Sequence, residues 1–367
     1  MPYSVFRLPL AWLTVGAVAL APAIVPVTMP PLLAGLLFAW LLGIIFWSAF
    51  GVVHEAEELA EILGEPFGTL VLTLSIVIIE VALISAVMLS SKAVPTLGRD
   101  TMFAVLMIVL NGVVGLGLLV GGLRHHQQSF NLQGASAYLA VTIPLAVIAL
   151  VLPNFTTSSS GGTLSATQAI LFSLLTMALY GIFLWLQTGR HKGFFQPADV
   201  ASGESQDASP LPHSGPPSSL TRHVVLLLAN ILPIVILSKS LAKLLDAGIE
   251  ALAAPTALGG IIIAMIVFTP EGISALRAVA ANQLTRAINL CLGAAASTLG
   301  LTVPAVLLIG LVSGQPVVLG LSTANMVLLA TTLVLNGITF SGGRTTMLEG
   351  AVHLSLFSVF LILVFSP

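Results

Sequence analysis

The chain alternates long apolar stretches with short polar breaks, and its hydrophobic pattern predicts helices that cross a membrane. About 20 apolar residues span the hydrocarbon core as a helix. Segmenting on that length gives eleven spans: 8–28, 31–53, 67–91, 99–122, 136–153, 164–187, 222–245, 255–277, 284–312, 322–341 and 346–366. Pro30-Pro31 separates the first two. The eighth and ninth are longer than a straight span needs and are expected to contain breaks. In the eighth, Pro270-Glu271-Gly272 predicts an unwound stretch, because proline removes an amide donor and glycine frees the chain.

One polar segment is long. Residues 189–221 carry Pro197, Pro210, Pro212, Pro216 and Pro217 among many Ser, Asp and Gly. That composition cannot build a core and reads as a flexible cytoplasmic linker, with His213 solvated inside it. The linker divides the chain into an extra N-terminal helix (1–30), a first five-helix repeat (31–188), the linker itself (189–221) and a second five-helix repeat (222–367). Five is odd, so the second repeat enters the membrane inverted relative to the first. Such repeats are a hallmark of secondary transporters, with the site near the midplane at their interface. The fold class expected is therefore an all-α polytopic membrane protein of about eleven helices.

Composition agrees. Of 367 residues, 57% are hydrophobic and 7% charged, with mean hydropathy +1.08, against about 25% charged in a soluble domain. The twelve basic residues are scattered, which excludes a nucleic-acid surface. With the N-terminus inside, Arg7, Arg124, Arg190, Lys192, Arg222, Arg277, Arg286 and Arg344 fall inside, and Lys92, Arg99, Lys239 and Lys243 outside. The positive-inside rule then favours a cytoplasmic N-terminus and an external C-terminus. A single cysteine, Cys291, excludes an intrachain disulfide, and no His-x-x-x-His pair occurs among the seven histidines.

The candidate chemistry lies in two acids. Glu80 is central in the apolar run 67–91, and Glu271 follows the apolar run 257–269; each falls on the second helix of its half. A charge at the membrane centre costs about 2.5–3.5 kcal/mol on insertion scales, and intramembrane acids mark ion or proton pathways. The alternative reading is a pair of neutral, hydrogen-bonded structural acids. Oxygen-bearing neighbours are the further candidate ligands: Asn111 in the first half, and Thr269, Ser274, Ser297 and Thr298 in the second. The helix following each acid is rich in small residues, as close helix packing requires. Between the second and third spans lies an acidic segment with five glutamates in residues 55–65. It predicts an amphipathic surface helix, in which His54, Glu55, Glu57 and Glu58 form either a cation-attracting vestibule or pH sensor, or a merely solvated face. Glu349 and His353 are spaced to interact on the last helix, near Asn336, Thr339, Ser341 and Arg344.

Oxygen ligands without a Cys or His cluster suit Ca²⁺, Na⁺, K⁺ or Mg²⁺. Two carboxylates neutralise one Ca²⁺ or take up two protons, and these physical arguments leave Ca²⁺/H⁺ and Na⁺/H⁺ exchange both open. An intramembrane enzyme is disfavoured by the lack of His-Glu-x-x-His, Gly-x-Ser-x-Gly or paired intramembrane aspartates.

Gly64-Glu65-Pro66-Phe67-Gly68 and the run from Leu72 to Ala86 resemble the first repeat of the ChaA type of bacterial calcium/proton antiporter. The run Pro270–Val279, Asn282-Gln283, Arg286-Ala287-Ile288-Asn289-Leu290 and Leu301-Thr302-Val303-Pro304 resemble its second, and Ser341-Gly342-Gly343-Arg344-Thr345 is similar too. The likeness runs from about residue 31 to the end. It implies the cation/calcium exchanger superfamily fold, with Glu80 and Glu271 as the acids that bind the metal cation or protons. It also implies an antiporter in the bacterial inner membrane, with lipid and transported Ca²⁺ and H⁺ as partners and no bound cofactor. Na⁺ and K⁺ exchange is the alternative within the same family. The wider superfamily often carries Gly-Asn-x-x-Glu; Ile76-Val77 and Val267-Phe268 stand in those places here. Aligning the following helix puts Glu271 about one turn early, with Ala275 at the usual acid position.

Overall fold

A computed structural model describes residues 3–20, 30–64, 67–89, 94–196 and 220–366, with side chains from residue 6. Lys92, Glu65, Pro66, His213 and most of the linker lie outside the described residues. Among those described, eleven helices carry the fold: α1 Tyr3–Leu20, α2 Pro31–Leu63, α3 Phe67–Met88, α4 Leu97–His125, α5 Leu132–Asn154, α6 Ala166–Thr188, α7 Leu220–Ala251, α8 Ala257–Ala280, α9 Leu284–Ser313, α10 Thr323–Thr339 and α11 Met347–Phe365. Nine of them are long and apolar enough to cross a membrane, and α1 and α10 are shorter apolar helices. Their outer faces stay apolar where no protein covers them, as at Leu171, Leu174 and Leu175 on α6 and Val327 and Val334 on α10. Such a belt is stable against lipid, where each helix satisfies its own backbone.

Capping marks several boundaries. Ser165 and Gln168 form a reciprocal capping box at the start of α6, Thr346 and Glu349 another at α11, and the Asn131 side chain accepts from Gln133 and Gly134 at α5. Glu349 is therefore held by its own helix start. The loop before α5 pairs with the loop before α11 in a two-residue antiparallel ladder, Gln128 opposite Thr345 and Ser129 opposite Arg344.

Two hydrophobic clusters organise the bundle. One gathers α1, α2, α3 and α7; the other gathers α4, α5, α6, α9, α10 and α11. Helix α8 feeds both, with Ile263, Ile266 and Val267 facing the first and Ala264, Phe268 and Ala275 the second. Helices α2 and α7, the first of each half, lie against one another, and α8 packs on α4 and α9. In chain order the described helices are α1, then five helices before the long polar segment and five after it.

Of the two breaks expected in the eighth and ninth spans, the one in the eighth is absent. Helix α8 runs unbroken through Pro270-Glu271-Gly272. Proline there only denies a hydrogen bond to the carbonyl one turn earlier, and the stretch is buried, with Phe268 in the core shared with α4 and Gly272 facing Val113 of α4. The ninth span does contain the expected irregularity, a π-turn at Thr298–Thr302 in α9; α4 carries another at Ile108–Val113, and α5 a third at Val147–Val151 followed by a 3-10 turn at Leu152–Asn154. In α9 the Val303 amide reaches back to the Thr298 carbonyl. The acidic segment also differs from expectation: rather than forming a separate surface helix, residues 54–63 continue α2.

Candidate functional site

Glu80 lies on α3 with 1% of its surface exposed. Its own helix offers it nothing, because Ser75 and Ser85 donate to the carbonyls of Val71 and Val81. The partners come from the opposite half. Thr302 Oγ1 donates to Glu80 Oε2 at 2.6 Å, and Thr298 Oγ1 lies 3.1 and 3.3 Å from the two carboxylate oxygens. Both threonines belong to the π-turn of α9, whose extra residue per turn brings them to one side. Gly300 between them lets that turn meet α6: a Cβ at Gly300 would lie 2.6 Å from the Tyr180 Cβ.

Glu271 projects from α8 and is 7% exposed. Its Oε2 has no hydrogen-bond partner, although the atom is buried. An unpaired buried carboxylate oxygen is costly unless a proton, a cation or water compensates it. The group lines a cavity of about 190 Å³, roomy enough for water. The inner wall holds Glu271, Ser297 and Ile76; towards the end where α6 runs out into the linker the wall holds Gln187, Asn289 and the exposed Arg286. Between them, Tyr180 hydrogen-bonds Thr73, and Gln187 donates to the Tyr138 hydroxyl at 2.7 Å. Ile76 is one helical turn from Glu80, and Ser297 adjoins Thr298. The cavity therefore ends beside the first acid, and the two carboxylates are within electrostatic reach of one another.

The remaining sequence candidates are distributed differently. Ser297 reaches the cavity wall, with its hydroxyl on the Ala294 carbonyl at 3.0 Å. Thr269 donates to the Met265 carbonyl of its own helix, and neither it nor half-buried Ser274 lines this cavity. Asn111, fully buried in the π-turn of α4, is engaged elsewhere. Its Nδ2 donates to Thr332 at 2.8 Å and its Oδ1 lies 3.2 Å from His353 Nδ1, while His353 Nε2 is 3.0 Å from the Thr339 hydroxyl. That network ties α4 to α10 and α11 and holds the His353 ring by hydrogen bonds, while Glu349 bears on it electrostatically, as their spacing predicts.

The acidic segment splits. Glu55 is no vestibule group: it is 5% exposed and sits among α1, α2 and α7, with His223 Nδ1 at 2.8 Å and an Arg7 nitrogen at 3.8 Å. Arg7 and the His223 ring, both distant in sequence, draw it inward, because a buried charge persists only when paired. His54 is exposed and Glu57 and Glu58 are half-buried. Among the described residues, no cluster of three or more His, Cys, Asp or Glu forms a metal cage. Sequence reasoning missed Thr302, Tyr180, Gln187 and Arg286 as neighbours of the acids. For Thr302 the signal was its spacing of four from Thr298; the others had none.

The sodium/calcium exchanger protein family matches residues 33–189 and 222–366. A sodium-potassium/proton antiporter, ChaA, of Escherichia coli is 41% identical over 341 residues, covering 92% of this chain and 91% of the relative. A Ca²⁺/H⁺ antiporter of Aphanothece halophytica is 24% identical, covering 87% of this chain and 86% of its own. The crystal structure of the Ca²⁺/H⁺ antiporter YfkE superposes with a TM-score of 0.71 at 18% identity, covering both chains fully, a likeness of fold. With both halves matched and a relative of this identity aligned nearly end to end, the chain belongs to the sodium/calcium exchanger family of integral membrane proteins.

Proposed function

We propose that this protein is a proton-coupled cation antiporter that extrudes Ca²⁺ in exchange for protons, with Glu80 and Glu271 binding cation and protons in alternation. The observation that carries the reading is the pairing of two buried acids from opposite halves within electrostatic reach, one held by threonines of the other half and one lining a cavity with an unpartnered oxygen. Two carboxylates balance one divalent cation. With protons in its place they are neutral, so either loaded state returns across the membrane without a bare charge. Thr298 and Thr302 supply hydroxyl oxygens suited to a hard cation, and Ser297 is a further ligand on the wall. In this reading the two inverted halves, 31–188 and 222–367, rock against each other and expose the acids to each side in turn.

The basic residues support a cytoplasmic N-terminus and an external C-terminus, which places the linker, and the cavity end beside it, on the cytoplasmic side. A plasma membrane of a bacterium is the setting, lipid and the transported ions are the partners, and no enzymatic step or resident cofactor is assigned.

Exchange of Na⁺ or K⁺ for protons is the second reading, favoured by the 41% identical relative named for those ions. One assay separates the two. Purified protein in liposomes with an imposed pH gradient and a pH-sensitive dye receives Ca²⁺, Na⁺, K⁺ and Mg²⁺ in turn. Proton movement on Ca²⁺, lost in Glu80→Gln and in Glu271→Gln at unchanged membrane insertion, is expected. A response to Na⁺ or K⁺ alone replaces the cation, and substantial residual exchange in either variant removes the two-acid site.

A further inference from the structure

Arg286 stands on the wall of the same cavity as Glu271, at the end nearest the linker. A permanent positive charge is an odd neighbour for a cation path. Any cation reaching Glu271 through this cavity passes its field, and low-dielectric walls concentrate that field along the route. A second charge opposes it. Glu57, half-buried near the C-terminal end of α2, is within electrostatic reach of both Arg286 and Glu271. His54, Glu58 and Glu61 are the other charged or titratable groups that bear on Glu57. The wall therefore carries one cation, Arg286, and an anion on α2 bears on both it and the deep acid.

We propose that Arg286 is a charge filter that sets the preference between divalent and monovalent cations, with Glu57 as its counter-charge. The idea rests on the cation-exchange reading above and deepens it. Coulomb energy is linear in the charge of the passing ion, so the penalty from Arg286 is twice as large for a divalent cation as for a monovalent one. On a logarithmic affinity scale the divalent change is double. If neutralising Arg286 improves the half-saturating Na⁺ concentration ~4-fold, Ca²⁺ should improve ~16-fold. Glu57 acts in the opposite sense, and its removal should disfavour divalent ions by a similar squared ratio.

The test is ion-driven proton movement in proteoliposomes at alkaline pH, where protons compete least, and at low ionic strength, where screening is weakest. Half-saturating Na⁺ and Ca²⁺ are measured for the unmodified protein, Arg286→Gln, Arg286→Lys, Glu57→Gln and the double variant. An ion that is not transported is scored as an inhibitor of the one that is. The expected result is a gain in Arg286→Gln that for Ca²⁺ is near the square of the gain for Na⁺. Arg286→Lys should keep the original ratio, Glu57→Gln should shift it the other way, and the double variant should return near the start. Equal fold-changes for both ions, no change in either, or a divalent ion still without effect on Arg286→Gln would overturn the filter. If the unmodified protein moves no protons with any ion, the exchange reading fails and the filter falls with it. A working exchanger with unaltered ion ratios removes the filter alone.

Discussion

Replacing Thr302 by valine keeps the shape of the side chain and deletes one hydroxyl. That hydroxyl makes the shortest contact to Glu80, 2.6 Å, and does so from the opposite half of the protein, 222 residues away in sequence. A hydrogen bond to a charged group is worth roughly 1.5–3 kcal/mol, and each 1.4 kcal/mol is tenfold in affinity. With Thr298 still present at 3.1 Å, the lower part of that range applies, so Thr302→Val should weaken cation binding about tenfold. Thr302→Ser keeps the oxygen and should remain within about threefold of the original, since it loses only a methyl group from a buried site. The assay is half-saturating cation concentration for proton movement in liposomes, compared at equal amounts of folded protein. A valine variant indistinguishable from the original would refute the role of the hydroxyl. A serine variant as impaired as the valine one would assign the effect to packing by the methyl group instead.

Other perturbations separate the site from the frame around it. Glu55→Gln breaks the buried contacts to His223 and Arg7, and removing one member of such a pair costs about 3–5 kcal/mol. It should lower the thermal midpoint of the detergent-solubilised protein while leaving the ion affinities of the folded fraction alone; a changed affinity at unchanged midpoint would restore Glu55 to the vestibule. Gly300→Ala places a Cβ 2.6 Å from the Tyr180 Cβ, where overpacking costs typically about 1–3 kcal/mol. It should push α6 from the π-turn and reduce both stability and transport, and a fully active, fully stable alanine variant would contradict the packing described.

Much of this architecture was legible because a membrane imposes a simple rule. The apolar stretches gave the described helices to within a few residues, except the C-terminal ends of α2 and α7 (the expected end of α1, near residue 28, lies outside the described residues), and the two lone acids stood out against them. What could not be read depends on distant pairing. Thr302 looks like any hydroxyl in an apolar run until α9 meets α3, and Tyr180 and Gln187 look like parts of a lipid-facing helix until one face of α6 closes the cavity. Glu55 resembles its neighbours Glu57 and Glu58, and only Arg7 and His223, from two other helices, draw it inside. Pro270 misled for a different reason. Its local chemistry favours a break, but in a bundle the surrounding contacts decide, and the π-turns at 108–113 and 298–302 formed in runs with no proline inside them.

The central claim is that one cation displaces the protons of two carboxylates. Proton release on cation binding tests it directly, measured by titration calorimetry of the purified protein in two buffers of different ionisation enthalpy, at a pH low enough that both acids begin protonated. Linkage requires about two protons released per Ca²⁺ bound in the unmodified protein and about one in Glu80→Gln or Glu271→Gln wherever the variant still binds. Release that is the same in the variants as in the original, or absent altogether, would contradict the account.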